Sequence, residues 1–315
     1  MTSILLFPGQ GAQKPGMARD LYEKYSEVKE LFKIAGDYSS FNAEKLLFES
    51  TEDELKETER TQVAITLANL ASYEALKAEG LLEEVLGVAG FSLGEYAALK
   101  AAGVCNYEDI FTLVAERGRL MAKAGKQIIE ARGAVAMAAV MGLSVQQVEE
   151  VVKSLGRDDV FCANYNSPTQ LILSGLEAGI NAAEPLLKEA GARRVMPLKV
   201  SGPFHTPLLN EAAAGFSEVL GKVTFNNPII PIFSNVSGRQ ISSGEEARSL
   251  LAKQICNPVL WLAVEEGLKK LAAADTKVIE CGPGNVLAGL WKAIFNEKVE
   301  LAATTAQISE LKSKN

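Results

Sequence analysis

The sequence predicts an α/β fold, because short apolar runs typical of strands alternate along the chain with segments of helical periodicity. Residues 4–7 form an apolar run that Pro8 and Gly9 end, which is typical of a buried strand leading into a loop. Residues 61–79 place apolar side chains at helical spacing, and residues 85–89 form the next apolar run. Strands that alternate with helices in this way favour a mainly parallel sheet.

A second pattern interrupts this alternation in the middle of the chain. Between residues 134 and 199 the predicted order is strand, helix, strand, strand, helix and strand, which is the ferredoxin-like βαββαβ order. We therefore expect a large α/β core built from residues 1–127 and 199–315. Residues 128–198 are expected to form a small inserted subdomain, because a segment of this length can form a compact unit.

The C-terminal part of the chain returns to the pattern of the core. Apolar runs at residues 231–235 and 277–281 are expected to be late strands of the large sheet. We expect the last dozen residues, after Thr304, to be loosely held.

Composition and charge narrow the possible functions. The chain has 315 residues and 48% of them are hydrophobic, so it can bury a large core. Its 32 basic and 39 acidic residues give a net charge of −7. No basic run is long enough to follow a phosphate backbone, so we expect no nucleic-acid partner.

The cysteines and the N-terminus indicate the compartment. The spacing of the cysteines fits neither a metal site nor a Cys-x-x-Cys motif, which favours reduced thiols in the cytosol; these are Cys105, Cys162, Cys256 and Cys281. No apolar stretch approaches the length that spans a bilayer, and the first residues lack the basic segment of a signal peptide. We expect a cytosolic protein with no membrane partner.

The segment Gly-Phe-Ser-Leu-Gly at residues 90–94 fits the pattern G-x-S-x-G. A predicted strand precedes it and a predicted helix follows it, which is the setting of the nucleophile elbow in hydrolase-like α/β folds. Its glycines allow a sharp turn, and the N-terminus of the following helix would stabilise negative charge near the serine oxygen. Ser92 is therefore the candidate nucleophile. An ordinary glycine-rich turn capped by a serine would show the same pattern.

A serine hydroxyl needs a base, and the chain contains a single histidine. His205 lies between residues 201 and 207, in a loop stiffened by two prolines and a glycine. Rigid loops often carry catalytic groups, and the pKa of histidine suits a base near neutral pH. His205 is therefore the candidate base, although a lone histidine is also common as an ordinary packed residue. With one histidine, we expect no histidine-based metal site.

Two further features have possible roles. The segment Pro-Gly-Gln-Gly-Ala-Gln at residues 8–13 follows the first predicted strand, where backbone N–H groups can point at an oxyanion. Arg117 lies on a predicted helix after the elbow, and a guanidinium can bind a carboxylate through two nitrogens. Each feature also has an ordinary explanation: the segment at residues 8–13 could be a plain turn, and Arg117 could be a solvated helical arginine.

Taken in order, these motifs resemble those of the malonyl-CoA–acyl carrier protein transacylases of bacterial fatty acid synthesis. The matching features are Pro-Gly-Gln-Gly-Ala-Gln at 8–13, Phe-Ser-Leu-Gly-Glu-Tyr at 91–96, Arg117, Asn164, Asn166, His205, Gln254 and Glu-Cys-Gly-Pro-Gly at 280–284. The resemblance runs from residue 3 to about residue 304, which is nearly the whole chain. Several separated motifs in one order are far more specific than any single motif.

The resemblance implies a ping-pong reaction without a cofactor. Ser92 would take the malonyl group from malonyl-CoA, and the phosphopantetheine thiol of acyl carrier protein would then receive it. His205 would act first as base and then as acid, oriented by a carbonyl group in the loop of Gln254. The backbone N–H groups of Gln10 and Leu93 would form the oxyanion hole.

The resemblance also implies substrate contacts, and it shows one departure. Arg117 would bind the malonyl carboxylate, while Gln254, Asn164 and Phe204 would contribute to substrate binding. In related polyketide acyltransferases, phenylalanine before the catalytic histidine accompanies a preference for malonyl over methylmalonyl groups. The family usually has histidine before the nucleophile, where this chain has Phe91. This difference affects local hydrogen bonding and does not alter the expected reaction.

Two other functional classes remain open. Esterases and thioesterases use the same pair of serine and histidine. Arg117 is the feature that favours transfer, because an anchored acyl carboxylate would hold the intermediate in place against attack by water. A non-enzymatic binding module could also have kept the fold.

The carrier protein poses an electrostatic question. Acyl carrier proteins are generally acidic, and this chain is acidic as well, so docking would need a local basic patch. The candidates near His205 in sequence are Lys188, Arg193, Arg194 and Lys199. These side chains could also be no more than a solvated helix end. The expected assembly is a monomer.

Overall fold

The computed structural model describes residues 2–314, which form two sheets surrounded by helices. The strands are β1 (Thr2–Phe7), β2 (Glu84–Gly90), β3 (Val135–Met141), β4 (Val160–Ser167), β5 (Gln170–Leu176), β6 (Arg194–Leu198), β7 (Lys277–Glu280) and β8 (Glu300–Leu301).

Helices make up most of the remaining chain, and none among residues 2–314 has the length and apolar character needed to cross a membrane. They are α1 (Arg19–Lys24), α2 (Ser26–Ser39), α3 (Ala43–Phe48), α4 (Thr58–Ala78), α5 (Gly94–Ala101), α6 (Tyr107–Arg132), α7 (Val145–Ser154), α8 (Glu177–Glu189), α9 (Asn210–Leu220), α10 (Gly244–Gln254), α11 (Trp261–Lys269), α12 (Val286–Phe295) and α13 (Thr305–Ser313). Short 3-10 helices lie at Glu54–Lys56 and Pro207–Leu209.

The core sheet is parallel and has the order β2-β1-β7-β8. Its strand β1 is buried on both faces: Leu5 and Phe7 pack with α2, α4, α5 and α6, whereas Ile4 and Leu6 pack with α11 and α12. Burial on both faces explains why this strand is apolar without alternation. Because Phe7 pairs with Gly90, the loops that follow β1 and β2 leave the sheet side by side.

The second sheet is antiparallel and has the order β4-β5-β3-β6, as the predicted βαββαβ pattern requires. Helices α7 and α8 cover one face, where Val140 and Leu173 pack against Ile180 and Leu187. The other face lines the cavity described below. The boundary that we predicted at residue 128 lies inside α6, so this helix continues from the core into the small subdomain.

The expectation of a regular strand at residues 231–235 is wrong. The segment makes only isolated bridges, Val88 with Ile232 and Phe233 with Gln240. Pro231 has no N–H group to donate to a ladder, although its carbonyl accepts a hydrogen bond from the backbone N–H of Val88. The segment therefore lies beside β2 without extending the sheet.

The expectation of a loosely held C-terminus is also wrong. Residues after Thr304 form α13, and the Thr304 side chain caps the helix by accepting a hydrogen bond from the backbone N–H of Gln307. Ile308 and Leu311 are buried in the main core. In addition, Asp20 accepts a hydrogen bond from the backbone N–H of Thr305 at 2.6 Å. The C-terminal segment is therefore held in place by the packing of its apolar side chains and by the cap of α13.

Candidate active site

Ser92 lies on a sharp turn between β2 and α5. Its φ angle is +50°, a left-handed conformation that costs a residue other than glycine about 1 kcal/mol. The turn requires its two glycines: a Cβ atom on Gly90 would lie 1.9 Å from the carbonyl carbon of Gly94. A Cβ atom on Gly94 would lie 2.0 Å from the carbonyl oxygen of Phe7. The sequence G-x-S-x-G thus folds here as a nucleophile elbow, with Ser92 at its tip.

His205 stands directly beside the serine. The Ser92 Oγ atom and the His205 Nε2 atom are 2.7 Å apart. The His205 Nδ1 atom lies 2.9 Å from the carbonyl oxygen of Gln254 and 3.2 Å from that of Asn257. Because carbonyl oxygens only accept, the proton belongs on Nδ1, and Nε2 is left to accept from the serine hydroxyl. The pair has the geometry of a nucleophile and its base, oriented by neutral carbonyl groups.

The imidazole is neutral at physiological pH. His205 is 4% exposed, and burial lowers its pKa to about 4, with a further lowering from the positive charge of Arg117. The carbonyl groups of Gln254 and Asn257 oppose this effect by accepting hydrogen bonds from the ring. A pKa this far below the ordinary value keeps the histidine in its basic form well into the acid range.

The rate at which a fluorophosphonate labels Ser92 should therefore stay constant from about pH 8 to about pH 5. It should fall by half near pH 4, because a protonated imidazole cannot accept the serine proton. Intact-mass measurement of the labelled fraction gives the rate, and thermal unfolding at each pH confirms that the protein stays folded. A midpoint at about pH 6.5, the ordinary value for histidine, would show that burial does not depress this pKa.

The predicted oxyanion donors lie at the two adjacent loops. Within residues 2–314 neither the backbone N–H of Gln10 nor that of Leu93 donates to a protein acceptor. The N–H of Ser92, by contrast, donates to the Oδ1 atom of Asn235 at 2.6 Å. The side-chain amide of Asn69 donates to the carbonyl oxygen of Pro8 at 2.8 Å and so supports the first loop. The two N–H groups we predicted are thus available, and their role in the reaction stays a prediction.

Arg117 is fully buried and does not line the cavity. Its Nη1 atom donates to Gln62 at 2.6 Å and its Nη2 atom donates to Gln254 at 3.0 Å, while its Nε atom has no partner among the described residues. The guanidinium also lies over the ring of Tyr96, 5.5 Å from the centroid. Burial lowers the pKa of this arginine, but a guanidinium remains charged at neutral pH. A buried cation held mainly by neutral amides has unused capacity for an anion.

Gln254 does not line the cavity but lies behind its wall, where it forms hydrogen bonds with several other residues of the site. Its Nε2 atom donates to the carbonyl oxygen of Ser92 at 2.8 Å and to the Oε2 atom of Glu95 at 2.6 Å. Its Oε1 atom accepts from Arg117, and its backbone carbonyl orients His205. Burial raises the pKa of Glu95 to about 7. The predicted carbonyl orienting His205 is present, whereas the side chain of Gln254 is placed to support the site and not to line the cavity.

A cavity of about 480 Å³ separates the elbow from the open face of the second sheet. Asn164 and Asn166 lie on its wall, each about 95% buried, and their Oδ1 atoms have no partner in the described part of the chain. Phe204 is also on the wall. The other lining side chains are largely apolar and include Phe91, Met121, Met137, Ala139, Met141, Ile172, Met196, Leu198 and Val200. The cavity thus combines an apolar wall with two amides that are free to bind a ligand.

Phe91, the departure noted in the sequence, packs against an aromatic neighbour. Its ring meets that of Trp261 edge to face, with centroids 5.3 Å apart. Phe91 also lines the cavity next to Ser92. The position is therefore filled by an apolar contact and has no direct hydrogen bond to the serine or the histidine.

Sequence reasoning missed several buried polar residues that support the site, among them Gln62 and Asn235. Gln62 accepts from Arg117 and donates to the Oε1 atom of Gln10 at 3.1 Å. Neither residue had a clear signal in the sequence. Gln62 is one of several polar residues of α4 that the fold buries, and Asn235 is far away in the sequence from its partner Ser92.

A serine hydroxyl that is hydrogen-bonded to a buried neutral histidine, at the end of a strand and beside a cavity, defines an enzyme that works through an acyl-serine. Residues 4–308 match the family model described as acyl transferase domain. The chain is 36% identical over 309 residues to the malonyl CoA-acyl carrier protein transacylase of Bacillus subtilis (strain 168), covering 97% of this chain and 94% of that protein.

Solved structures agree with this comparison. The malonyl-CoA:acyl carrier protein transacylase of Xanthomonas oryzae pv. oryzae superposes with a TM-score of 0.91 at 34% identity, covering 100% of this chain and 99% of that one. A malonyl-transacylase solved in complex with a type II PKS acyl-carrier protein gives 0.92 at 32% identity, covering all of both chains. The chain belongs to the acyl transferase domain family, among the malonyl-CoA–acyl carrier protein transacylases.

Proposed function

We propose that this chain transfers a malonyl group from malonyl-CoA to the phosphopantetheine thiol of an acyl carrier protein through a malonyl-Ser92 intermediate. The observation that carries the proposal is the 2.7 Å hydrogen bond between Ser92 and a neutral His205 at the wall of the cavity. Membership in the transacylase family supports the same substrates.

In the first half-reaction, the Nε2 atom of His205 removes the proton of Ser92 as the Oγ atom attacks the thioester carbonyl. The N–H groups of Gln10 and Leu93 stabilise the negative oxygen of the tetrahedral intermediate. The carbon–sulfur bond then breaks, and His205 returns the proton to the departing coenzyme A sulfur. The products are malonyl-Ser92 and free coenzyme A.

In the second half-reaction, the phosphopantetheine thiol enters the same cavity. His205 takes its proton, the thiolate attacks the ester carbonyl, and the same two N–H groups stabilise the oxygen. The bond from the carbonyl carbon to the Ser92 oxygen breaks, and the serine recovers its proton from His205. Malonylated carrier protein leaves, and the enzyme returns to its starting state.

Arg117 supplies the preference for a carboxylated acyl group. The malonyl carboxylate would replace one of the glutamine oxygens that now accept from the guanidinium, so that a buried cation gains an anionic partner. The anchored carboxylate would also hold the ester in a fixed position, which disfavours attack by water. Of the other predicted contacts, Asn164 suits the amide groups of the pantetheine arm, and Phe204 would crowd an α-methyl substituent.

The test is the fate of isolated malonyl-enzyme after coenzyme A has been removed. We expect rapid transfer to carrier protein that bears phosphopantetheine, and slow loss to water when the carrier is absent. Intact-mass measurement over time follows both reactions. If the malonyl-enzyme loses its malonyl group to water at the same total rate with carrier protein as without it, the protein is instead a serine hydrolase.

The predicted docking residues are only partly available for a partner. Lys188 pairs with Glu184 at 2.6 Å. Arg193, Arg194 and Lys199 form no salt bridge within residues 2–314. Both arginines line a groove that shares Met141 and Gln170 with the cavity, and Lys199 lies at the cavity wall. We infer that these three cations attract the acidic carrier protein.

Changing Arg193 and Arg194 together to glutamate is expected to raise the KM for carrier protein at least about tenfold, because the patch would then repel an acidic partner. The effect should weaken with added salt, as screening of exposed charges requires. Steady-state transfer at two ionic strengths measures both. The control has the same charge change on the core, at exposed Lys29 and Lys222. A KM that changes less than about twofold in the arginine variant would remove these residues from the docking surface.

We further propose that the reaction needs no cofactor and that the enzyme acts as a monomer in the cytosol, without a membrane partner. Nucleophile, base and arginine come from one chain, and malonyl-CoA is a substrate. The four cysteines are free thiols, which agrees with a reducing compartment. Light scattering of the purified protein tests the assembly, with one chain per particle expected.

A further inference from the structure

The backbone of Ser92 is held by two side chains from distant parts of the sequence. Asn235 accepts a hydrogen bond from its N–H group, and Gln254 donates one to its carbonyl oxygen. Ser92 has a left-handed conformation, which persists in a residue other than glycine only where its surroundings hold it. These two side chains are thus placed to keep the nucleophile in its exposed orientation.

Asn235 makes the more complete contact, because its amide spans the elbow. The Oδ1 atom accepts from the N–H of Ser92 at 2.6 Å, and the Nδ2 atom donates to the carbonyl oxygen of Gly90 at 2.7 Å. Only one orientation of the amide satisfies both partners, since an N–H donates and a carbonyl accepts. Asn235 is fully buried, and its own carbonyl accepts from the backbone N–H of Leu260 at 2.8 Å. The asparagine is therefore rigidly anchored on its far side.

We propose that Asn235 is a positioning residue of the acyl-transfer reaction, which clamps Gly90 to Ser92 and so holds the serine oxygen against His205. Asn235 does not line the cavity, so it acts through Ser92 and does not touch substrate. The inference rests on the proposed function, because it assigns a role in that reaction.

The clamp also determines which backbone groups form the oxyanion hole. The N–H of Ser92 is bound to Asn235, so it is turned away from the reacting carbonyl. Leu93 and Gln10 keep N–H groups without protein acceptors in the described chain. Asn235 thereby leaves the next residue of the elbow, and not the nucleophile itself, as the donor from this turn.

The first test replaces Asn235 with alanine and follows malonylation of Ser92 in a single turnover. The rate constant at saturating malonyl-CoA should fall about 100-fold, while the half-saturating concentration changes less than about threefold, because the defect lies in nucleophile alignment. Asn106→Ala is the matched control. Asn106 caps α6 by accepting from Asp109 at 2.7 Å, so its loss removes a comparable hydrogen bond away from the elbow.

The second test uses Asn235→Asp, which is nearly the same size. A protonated carboxyl group can donate to Gly90 and accept from Ser92, as the amide does, whereas the ionised form would face the Gly90 carbonyl with a second acceptor. The activity of this variant relative to the natural protein should therefore rise as the pH falls from about 8 to about 5.5. His205 stays neutral over this range, since its pKa lies at about 4.

One titrating neighbour needs a control. Burial raises the pKa of Glu95 to about 7, and this carboxyl group interacts with the side chain of Gln254, the backbone N–H of Asn235 and the charge of Arg117. Its titration occurs in the natural protein and in Asn235→Ala as well, so the alanine variant must show no comparable rise at low pH. The rise in relative activity at low pH should therefore occur only in Asn235→Asp.

The outcomes separate this inference from the proposed function. A rate for Asn235→Ala within about threefold of the natural protein, or a loss equal to that of Asn106→Ala, would overturn the positioning role. An Asn235→Asp variant that stays as slow as Asn235→Ala at every pH would overturn it as well, because the protonated carboxyl group would then fail to replace the amide. If the natural protein itself forms no malonyl adduct, the proposed function fails. Even in that case, the rate at which a fluorophosphonate labels Ser92 would report on the clamp. It should be slow in Asn235→Ala and normal in both the natural protein and Asn106→Ala.

Discussion

Replacing His205 is expected to lower malonyl transfer by about 10⁴- to 10⁶-fold, because removal of the base from such a pair costs nearly all of its catalytic advantage. The chain has no second histidine to substitute. Two variants make the test sharp. His205 has a φ angle of +59°, and asparagine tolerates this left-handed conformation far better than alanine does. Single-turnover malonylation should be lost in both His205→Asn and His205→Ala.

The comparison of these two variants separates distortion of the backbone at residue 205 from loss of the base. Thermal unfolding should show that His205→Asn retains the fold, although this variant loses the two hydrogen bonds from the imidazole to the carbonyl groups of Gln254 and Asn257. A rate above about one hundredth of the natural value in that variant would mean that another group accepts the serine proton.

Replacing Arg117 with methionine is expected to lower kcat/KM for malonyl-CoA by about 10²- to 10³-fold, the usual consequence of leaving a buried carboxylate without its cation. Transfer of an acetyl group, which has no carboxylate, should change by less than about fivefold. Methionine fills much of the same volume, so the loss of packing is limited. Parallel assays with the two thioesters give the ratio that decides the role of Arg117.

Gln254→Leu provides the comparison for this experiment. It removes one acceptor of Arg117 and the donor to Ser92, but it leaves the backbone carbonyl that orients His205. We expect this variant to slow both substrates, because the position of the nucleophile is affected regardless of the acyl group. If Arg117→Met also slowed malonyl and acetyl transfer equally, the arginine would be structural and would not bind the substrate carboxylate.

Much of the fold could be predicted because its signals are local. The run at residues 4–7 is apolar without alternation, as a strand buried on both faces must be. The order of strands and helices between β3 and β6 identifies the antiparallel sheet. The elbow could be located for the same reason, since the glycines that the turn requires are two residues from Ser92 on either side.

What could not be predicted depends on contacts between distant segments. The roles of Gln62 and Asn235 become visible only when α4 and the segment after Pro231 lie against the elbow. The burial of Arg117 was equally hidden, because a helical arginine in a sequence looks solvated until its neighbours are known. The C-terminal helix was missed because its apolar stripe is short and its anchor, Asp20, lies near the other end of the chain.

The central claim is that Ser92 becomes malonylated, and intact-mass measurement tests it most directly. The protein is mixed with malonyl-CoA alone, with methylmalonyl-CoA and acetyl-CoA in parallel, and weighed within seconds. We predict the gain of one malonyl group per chain, in preference to the other two acyl groups, and no gain for Ser92→Ala. No adduct on the natural protein, or an equal adduct on Ser92→Ala, would contradict the account.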